Sequence, residues 1–294
     1  MNDSNNNTTR KPSHVFIVGL GRSGTKFLQN VLTANPDVHL SAETHFFSEL
    51  FHKGFIRTAK SIGDMKKDEN VREIVDRMFN KKIHGTMWRT SKLKNRERIL
   101  ERFLESDRSF KSFFEIILDE DRLQQQKIIG GEKTPSHLFH VKTLMEWFPN
   151  AKVIQILRNP KDVLASEVTK KIKPDYPLKK KNFFYNLGLF VSVTFSWNKA
   201  VQLDKKYKAD YPNNYYLVKY EDLLKDHRAT VQKVCSFLNI DFREDMLNPP
   251  IVDTSFTDSN RAKINTEKKF VFSGGFNKLM DTFLSSKLRQ HNYS

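Results

Sequence analysis

Short apolar runs alternate with amphipathic stretches along most of this chain. Apolar runs of strand length lie at about 14–19, 151–158 and 214–220, and positions spaced as on a helix follow each of them. Alternation of this kind predicts a mostly parallel sheet with helices on both faces. We therefore expect a three-layer α/β fold with four to five strands. Its ligand site should lie beyond the carboxyl ends of the strands.

The pattern between these runs predicts further elements. Residues 60–125 alternate charged and apolar positions at helical spacing, which indicates surface helices whose charged faces are solvated. Residues 127–137 (KIIGGEKTPSH) predict a short strand, a Gly-Gly turn and a stop at the proline. The polar residues 1–12 predict a disordered tail. We expect a single domain over 13–294, with a helical insertion at about 45–125 on the acceptor side.

Composition adds a strong positive charge to this picture. The 294 residues carry a formal net charge of +16, which indicates an anionic partner such as a polyphosphate cofactor, an acidic glycan, a membrane surface or nucleic acid. A single cysteine excludes an internal disulfide framework. The N-terminal residues lack the apolar core of a signal peptide, and no stretch approaches the length of a membrane span. A cytoplasmic protein is therefore expected.

The turn after the first apolar run is a candidate anion site. The sequence GLGRSGTK places Gly19 and Gly24 at the separation found in a P-loop, directly before a helix whose N-terminus attracts anions. Thr25 stands where a P-loop has its lysine, and Lys26 stands where it has its serine or threonine. The cation comes earlier, at Arg22. This departure predicts a site for phosphate and sulfate oxygens without a metal ion.

A second candidate anion site follows the apolar run at 151–158. In the sequence RNPKDVLAS, Arg158 closes the predicted strand and Ser166 lies about two turns into the next helix. A guanidinium and a hydroxyl so placed can bind one phosphate from two sides. A cofactor with two separated phosphate groups would use both sites.

These residues resemble the sulfotransferases that use 3′-phosphoadenosine 5′-phosphosulfate (PAPS). GLGRSGTKFL resembles their 5′-phosphosulfate loop and RNPKDVLAS their 3′-phosphate segment. ETHFF (43–47) and EKTPSHLF (132–139) are similar to the glycan-modifying and bacterial branches, and YED (220–222) matches a further family stretch. The resemblance covers about 14–240. It implies PAPS as cofactor, adenosine 3′,5′-bisphosphate as product and a P-loop-kinase-like fold.

The resemblance also implies roles for individual residues. Arg22 would contact the 5′-phosphosulfate, Lys133 would lie near the sulfuryl group or the acceptor, and Glu43 would be the general base. Phe27 would stack on the adenine, and Tyr220 would touch the adenosine. The full set of cofactor-binding predictions is Arg22, Ser23, Gly24, Thr25, Lys26, Phe27, Arg158, Ser166, Tyr220 and Arg261.

Two departures from the family pattern qualify this assignment. Lys26 replaces a small hydroxylic residue, which predicts rearranged contacts to the phosphosulfate. The C-terminal Arg-Lys-Gly element of the cytosolic small-molecule branch is absent, and the basic stretch around Arg261 and Lys263 is a candidate substitute as a cap over the cofactor.

The acceptor hydroxyl must lose a proton, and two side chains are candidates for the base. Glu43 and His45 both follow the first predicted helix. We expect these side chains to point to opposite faces of an extended segment, so that only one reaches the acceptor, and we assign the base to Glu43. His137 and His140 share a helical spacing, but no third ligand is in view and no metal is predicted.

Three function classes remain at this point. The first is a sulfotransferase acting on a hydroxyl or amine of a saccharide, glycolipid or other small acceptor, with an anionic or membrane-surface, lipid-linked acceptor left open. The second is a magnesium-dependent nucleotide or small-molecule kinase, for which the loop lacks the Walker lysine. The third is a basic nucleic-acid-binding protein, which is suggested only by charge. No specific nucleic-acid partner is predicted, and the oligomeric state is left open.

Overall fold

Four strands form the sheet in the part of the chain that the structure describes. The structure is a computed structural model, and it describes residues 13–47, 54–85, 87–88, 93–171, 183–249 and 274–290. In chain order the strands are β1 (His14–Gly19), β2 (Gly130–Lys133), β3 (Lys152–Leu157) and β4 (Tyr215–Lys219). The helices are α1 (Thr25–Thr33), α2 (Phe55–Ile62), α3 (Asp68–Phe79), α4 (Arg96–Glu105), α5 (Phe110–Gln124), α6 (Val141–Trp147), α7 (Pro160–Lys171), α8 (Phe183–Asp210), α9 (Tyr220–Lys225), α10 (His227–Leu238) and α11 (Gly274–Gln290), with short 3-10 helices at Pro135–His140 and Glu244–Leu247.

All strand pairs in this sheet are parallel. The strand order is β2-β1-β3-β4, with Ile17 opposite both Lys133 and Ile154. Isolated parallel bridges at Val38–Ile129 and Ser41–Glu132 extend the sheet beyond β2. The predicted α/β fold with a mostly parallel sheet is therefore confirmed. The chain passes from β1 to β2 on one side and then crosses to β3 on the other side of β1. The winding direction of the sheet therefore changes at β1, and ligands bind at such a point in folds of this kind.

Two apolar cores lie on opposite faces of the sheet. Successive side chains of a strand point to opposite faces. Accordingly, Phe16 and Val18 belong to the core that packs against α2–α5, whereas Val15 and Ile17 belong to the core that packs against α1 and α10. These are the three predicted layers. The domain boundaries, including the insertion at about 45–125, stay a prediction.

The expectation of solvated charged faces in the 60–125 region is wrong at two positions of α5. Glu120 is 1% exposed and accepts hydrogen bonds from Arg98 Nε at 2.9 Å and Arg102 Nη1 at 2.6 Å. Asp121 is also buried, and its Oδ2 accepts from Ser41 and lies 2.7 Å from His39 Nε2. Each buried carboxylate is compensated by cations or donors, as burial of a charge requires. Asp121 thereby fixes the segment that extends the sheet.

The predicted Gly-Gly turn is wrong as well, since both glycines lie inside β2. A Cβ on Gly131, whose φ is +154°, would lie 1.8 Å from the carbonyl oxygen of Val15. The two backbones approach so closely that only a glycine fits here. The pair marks strand contact with β1 rather than a change of chain direction.

Within the described residues no helix is long and apolar enough to cross a membrane. The predicted disordered tail (1–12) lies outside the residues that the structure describes.

Candidate active site

The predicted site residues meet at one edge of the sheet. Because the strands are parallel, the segments that follow them lie at the same edge. The turn 20–24 follows β1, Arg158 follows β3 and Tyr220 follows β4, while Lys133 is the last residue of β2. In the strand order, the turn therefore lies between Lys133 on one side and Arg158 and Tyr220 on the other.

The turn between β1 and α1 has the geometry of an anion site. Gly24 precedes the first residue of α1 in a left-handed conformation with φ +99°. Ser23 is fully buried, and its hydroxyl oxygen has no hydrogen-bond partner among the residues that the structure describes. A buried hydroxyl normally has a partner, and the first N–H groups of a helix lack one within the helix. Together they fit an oxygen-rich anion.

Two arginines form the second half of the site. Arg22 Nε donates to Ser166 Oγ at 3.0 Å, and Arg158 Nη1 donates to the carbonyl oxygen of Arg22 at 3.3 Å. The Arg158 guanidinium stacks on the ring of Tyr220, with 4.5 Å between its central carbon and the ring centroid. The two predicted anion sites are therefore physically joined, and Ser166 connects to the first of them through Arg22.

Positive charge accumulates at this junction. Burial lowers the pKa of Arg22, the nearby Glu167 raises it and Arg158 lowers it again. The buried Arg158 Nε finds no acceptor within the described part of the chain. Two guanidinium groups held this close, with an unused buried donor, favour an anionic ligand that compensates their charge.

Arg158 is fixed by contacts at its own backbone and at the next residue. Trp197 Nε1, on α8, donates to the carbonyl oxygen of Arg158 at 3.1 Å. The N–H of Asn159 donates to Glu221 Oε1 at 2.8 Å. The backbone that carries the guanidinium is thus anchored to α8 and α9 before any ligand arrives, which lowers the cost of binding.

Glu43 and Lys133 form an ion pair on the β2 side of the turn. The ammonium of Lys133, which is 7% exposed, donates to Glu43 Oε1, and His45 Nε2 lies 3.4 Å from Glu43 Oε2. Burial alone would raise the pKa of Glu43. The hydrogen bond with His45 and the charge of Lys133 outweigh burial and lower this pKa to about 2. The carboxylate is therefore ionised at neutral pH.

The expectation that Glu43 and His45 point to opposite faces is wrong. Residues two apart on an extended segment share a face, and His45 has in addition a left-handed φ of +45°. The imidazole consequently lies against the carboxylate instead of across the chain from it. Both groups lie on the side of the segment that Lys133 occupies.

The remaining sequence predictions have the following outcomes. Phe27 packs beside the ring of His227 at 5.4 Å between centroids, and Lys26 Nζ donates to Gln29 Oε1 at 3.2 Å. Thr25 is buried as the first residue of α1. Arg261 and the basic stretch around it lie outside the described residues.

Two histidines considered as metal ligands have other contacts. His137 forms a buried ion pair with Glu132, and His140 stacks on Phe47 at 4.6 Å between centroids. Over the described ranges, no group of three or more His, Cys, Asp or Glu side chains is arranged to hold a metal ion.

Several residues of the site escaped the sequence analysis. Glu132 is a fully buried carboxylate next to Lys133. Because successive residues of a strand point to opposite faces, a lysine in the site implies that Glu132 points towards the core, and this was the available signal. Glu167 follows Ser166 directly and acts on Arg22. His84 packs its ring 4.8 Å from that of His45, a long-range contact for which the sequence contains no signal.

Comparison with known proteins agrees with this geometry. The model of the sulfotransferase family matches residues 12–244. The chain belongs to this family, and the nucleotide-kinase alternative is not favoured. It is 30% identical over 155 residues to a rat protein named sulfotransferase 2A6, covering 48% of this chain and 50% of that protein. The chain thus matches about half the length of that curated relative.

Two solved structures share the fold. The sulfotransferase domain from the Synechococcus PCC 7002 olefin synthase is 18% identical with a TM-score of 0.54, over 94% of this chain and 89% of that one. Mouse sulfotransferase SULT7A1, solved as a complex with PAP, is 18% identical with a TM-score of 0.51, over 94% of this chain and 84% of that one. At such identities the likeness concerns the fold alone.

Proposed function

We propose that this protein transfers a sulfuryl group from PAPS to a hydroxyl or amine of an acceptor, with Glu43 as general base. The observation that carries the proposal is the Lys133–Glu43 pair at the end of β2, beside the anion-binding turn that follows β1. A carboxylate beside a phosphate-type site can take the proton that an acceptor loses, and a lysine there can stabilise negative charge that develops during the transfer.

The residues at the sheet edge divide between the two ends of the cofactor. The hydroxyl of Ser23, the N–H groups that begin α1 and the guanidinium of Arg22 would hold the 5′-phosphosulfate, and Arg158 with Ser166 would hold the 3′-phosphate. The buried donors of this site that have no acceptor support the assignment. Phe27 and Tyr220 flank the same turn and offer rings for the adenosine.

The bound cofactor supplies an electrophilic sulfur and a phosphate leaving group. Glu43 accepts the proton that the acceptor loses as its oxygen or nitrogen bonds to sulfur. Arg22 and the N–H groups of the turn stabilise the charge that develops on the leaving phosphate. One such donor lowers the activation free energy by on the order of 3 kcal/mol. A positioned base contributes roughly 10²–10⁴-fold.

Lys133 determines how basic Glu43 is. The ammonium carries three donor hydrogens and gives one to Glu43, so it can contact an anion at the turn at the same time. Drawing the lysine towards that anion weakens its hold on the carboxylate. Burial then raises the pKa of Glu43 towards the range where a base works well. Binding of the cofactor and activation of the base are thereby coupled.

The acceptor is proposed as a class only. A saccharide, glycolipid or other small molecule with a hydroxyl or amine fits a site whose base lies near the helices of the 45–125 region. The positive charge of the chain favours an anionic acceptor. A cytoplasmic location and a mechanism without metal remain part of the proposal.

Calorimetric titration of adenosine 3′,5′-bisphosphate in the presence of EDTA tests the proposal. We expect a dissociation constant in the micromolar range or below, which corresponds to about −8 kcal/mol. An Arg158→Ala, Ser166→Ala double variant should lose most of this affinity. Lys142→Ala, which removes a positive charge from an exposed side chain of α6, should retain it.

Other outcomes would reject the proposal in different ways. Binding of ATP with magnesium, without binding of the bisphosphate, would indicate a kinase-type nucleotide site and reject the proposal. Equal loss in Lys142→Ala and in the double variant would indicate unspecific attraction by the net charge. Full turnover of PAPS by a Glu43→Gln variant would leave the cofactor site intact and remove Glu43 as the base.

A further inference from the structure

A buried counterpart lies behind the Lys133–Glu43 pair. Glu132 and Lys133 are consecutive in β2, and Glu43 and Thr44 are consecutive on the segment beside it, so their side chains alternate between two sides. On the side of the active site Lys133 contacts Glu43, and on the core side Glu132 contacts Thr44. The two pairs therefore share the same two backbones.

Glu132 accepts hydrogen bonds from the hydroxyls of two threonines, Thr44 and Thr134. Its Oε2 accepts from Thr44 Oγ1 at 2.5 Å and from Thr134 Oγ1 at 3.0 Å. Because both hydroxyls donate their hydrogen to the carboxylate, their oxygens are available to accept hydrogen bonds from backbone N–H groups. Thr134 Oγ1 accepts from the N–H of Thr44 at 3.1 Å, and Thr44 Oγ1 accepts from the N–H of Phe46 at 3.1 Å.

The direction of these hydrogen bonds depends on an ionised Glu132. An ionised carboxylate only accepts, so both hydroxyls have to donate to it. Glu132 is 1% exposed, and a carboxylate at such a place needs compensating partners, among which the imidazole of His137 lies against its Oε1. Burial alone would raise the pKa of Glu132, but the charge and hydrogen bond of His137, with the two threonine hydrogen bonds, lower it.

The carbonyl groups of the same segment are bound from the other side. The N–H of Met87 donates to the carbonyl of Glu43 at 3.1 Å, the indole N–H of Trp88 to that of Thr44 at 2.8 Å, and the N–H of Phe55 to that of His45 at 3.2 Å. The threonine hydroxyls accept from the N–H groups of the segment, and Met87, Trp88 and Phe55 donate to its carbonyl groups. These hydrogen bonds on both sides fix the position of the segment. This restraint also maintains the left-handed conformation of His45.

We propose that Glu132, through Thr44 and Thr134, is the positioning residue that holds Glu43 against Lys133. The inference rests on the proposed function insofar as Glu43 is the base. Glu132 itself touches neither cofactor nor acceptor, because its side chain is enclosed in the core. Its effect on chemistry passes through the backbone of residues 43–46.

The groups that surround each carboxylate are known. His137, Thr44 and Thr134 face Glu132, while Lys133 and His45 face Glu43, and His84 packs against His45. If the segment moves, Glu43 loses Lys133 while it stays partly buried. Its pKa should then rise by about 1–3 units, since burial is no longer opposed by the lysine.

The experiment compares Thr44→Val with Thr44→Ser. Valine keeps the shape of threonine without the hydroxyl, and serine restores the hydroxyl. Protein labelled with ¹³C at the glutamate carboxyl carbons is titrated by NMR, and the Glu43 signal is assigned by its loss in Glu43→Gln. We expect the Glu43 inflection to lie about 1–3 pH units higher in Thr44→Val than in the wild type, and to return to the wild-type position in Thr44→Ser.

Two controls separate this inference from the proposed function. Lys133→Met should raise the pKa of Glu43 directly and serves as the positive control. Affinity for adenosine 3′,5′-bisphosphate should stay within about 3-fold of the wild type in both Thr44 variants, since the cofactor residues are unchanged. If the wild type fails to bind the bisphosphate, the proposed function is wrong, yet the NMR titration still decides the positioning role.

An unchanged Glu43 titration in a folded Thr44→Val protein would overturn the inference. If Thr44→Val does not fold, Thr134→Val provides the second test, because it removes the acceptor for the N–H of Thr44 and one donor to Glu132 while Thr44 stays unchanged. The same rise in the pKa of Glu43 is expected there. A flat titration in that folded variant would equally reject the role of Glu132.

Discussion

Gly24 and Tyr220 touch across the sheet edge: a Cβ on Gly24 would lie 2.4 Å from the tyrosine ring. The ring cannot move away from Gly24 without losing its stacking contact with the Arg158 guanidinium. The left-handed φ of +99° at Gly24 adds strain for any other residue. The turn that begins α1 and the residue that follows β4 are thus fitted to each other.

Gly24→Ala should therefore weaken the cofactor site strongly. The Cβ displaces Tyr220 or shifts the turn, and either change misplaces the N–H groups and Arg158. We expect affinity for adenosine 3′,5′-bisphosphate to fall at least about 100-fold, with a loss of folding stability of about 1–3 kcal/mol. Gly21→Ala is the matched control, because its Cβ would meet only Glu167 at 3.8 Å. Equal affinities of the two variants would contradict the fit.

The stacking of Arg158 on Tyr220 predicts a difference between two tyrosine variants. Tyr220→Phe keeps the aromatic face, whereas Tyr220→Leu keeps bulk without the quadrupole. We expect bisphosphate affinity to stay within about 3-fold in the first and to fall about 5- to 30-fold in the second, which corresponds to the loss of roughly 1–2 kcal/mol. Calorimetry measures both. A larger loss in Tyr220→Phe would mean that the hydroxyl, not the ring, matters.

Lys133→Met should make activity sensitive to acid. Glu43 has a pKa of about 2, below its ordinary value, and the charge of Lys133 contributes to this depression. Without the ammonium, burial raises this pKa, so Glu43 becomes protonated at a higher pH. The value of kcat/KM, which reports the free enzyme, should then decline as the pH falls below about 6, where free wild-type enzyme shows no decline from Glu43. Parallel pH profiles of the two proteins would remove the lysine from this role.

Glu132 predicts part of the acid sensitivity of the fold. Its pKa is lowered in the folded state, so its stabilising contribution is complete above the unfolded pKa of about 4.5 and is lost as the pH falls through the folded value. Glu132→Gln should lower the free energy of unfolding at neutral pH by about 3 kcal/mol, since the pair with His137 is broken. The variant should also lose less stability than the wild type on acidification. Urea unfolding at neutral and acidic pH measures both, and equal pH slopes would contradict the prediction.

The residues whose position at the sheet edge can be predicted from the sequence are those with a local signal. Arg158 directly follows one apolar run of strand length, and Arg22 and Gly24 lie in the turn that follows another. Lys133 and Glu43 became recognisable through the family resemblance, and the structure brings them into contact. In each case the strand ends determine the place, since parallel strands bring their following segments to one edge.

What escaped prediction depends on contacts between distant segments. The sequence contains no signal that Glu132 and His137 lie together in the core, because their contact depends on the threonines and the apolar residues packed around them. The Gly130–Gly131 pair reads as a turn because the approach of Val15 cannot be seen in sequence. The placement of Glu43 and His45 was predicted wrongly for a simpler reason: on an extended segment, alternate residues share a face.

The alternation at the edge of β2 limits how this protein can be redesigned. A shift of one residue between the segment 41–46 and β2 would turn Thr44 towards Lys133 and Glu43 into the core, so that a hydroxyl replaces the carboxylate at the candidate site and a charge is buried. Replacement of the helices beyond residue 54 keeps this register only where the donors to the segment, Phe55, Met87 and Trp88, are retained. Under the proposed function, exchange of those helices with the three donors kept should alter acceptor specificity, whereas an insertion or deletion between Ser41 and Phe46 should separate Glu43 from Lys133.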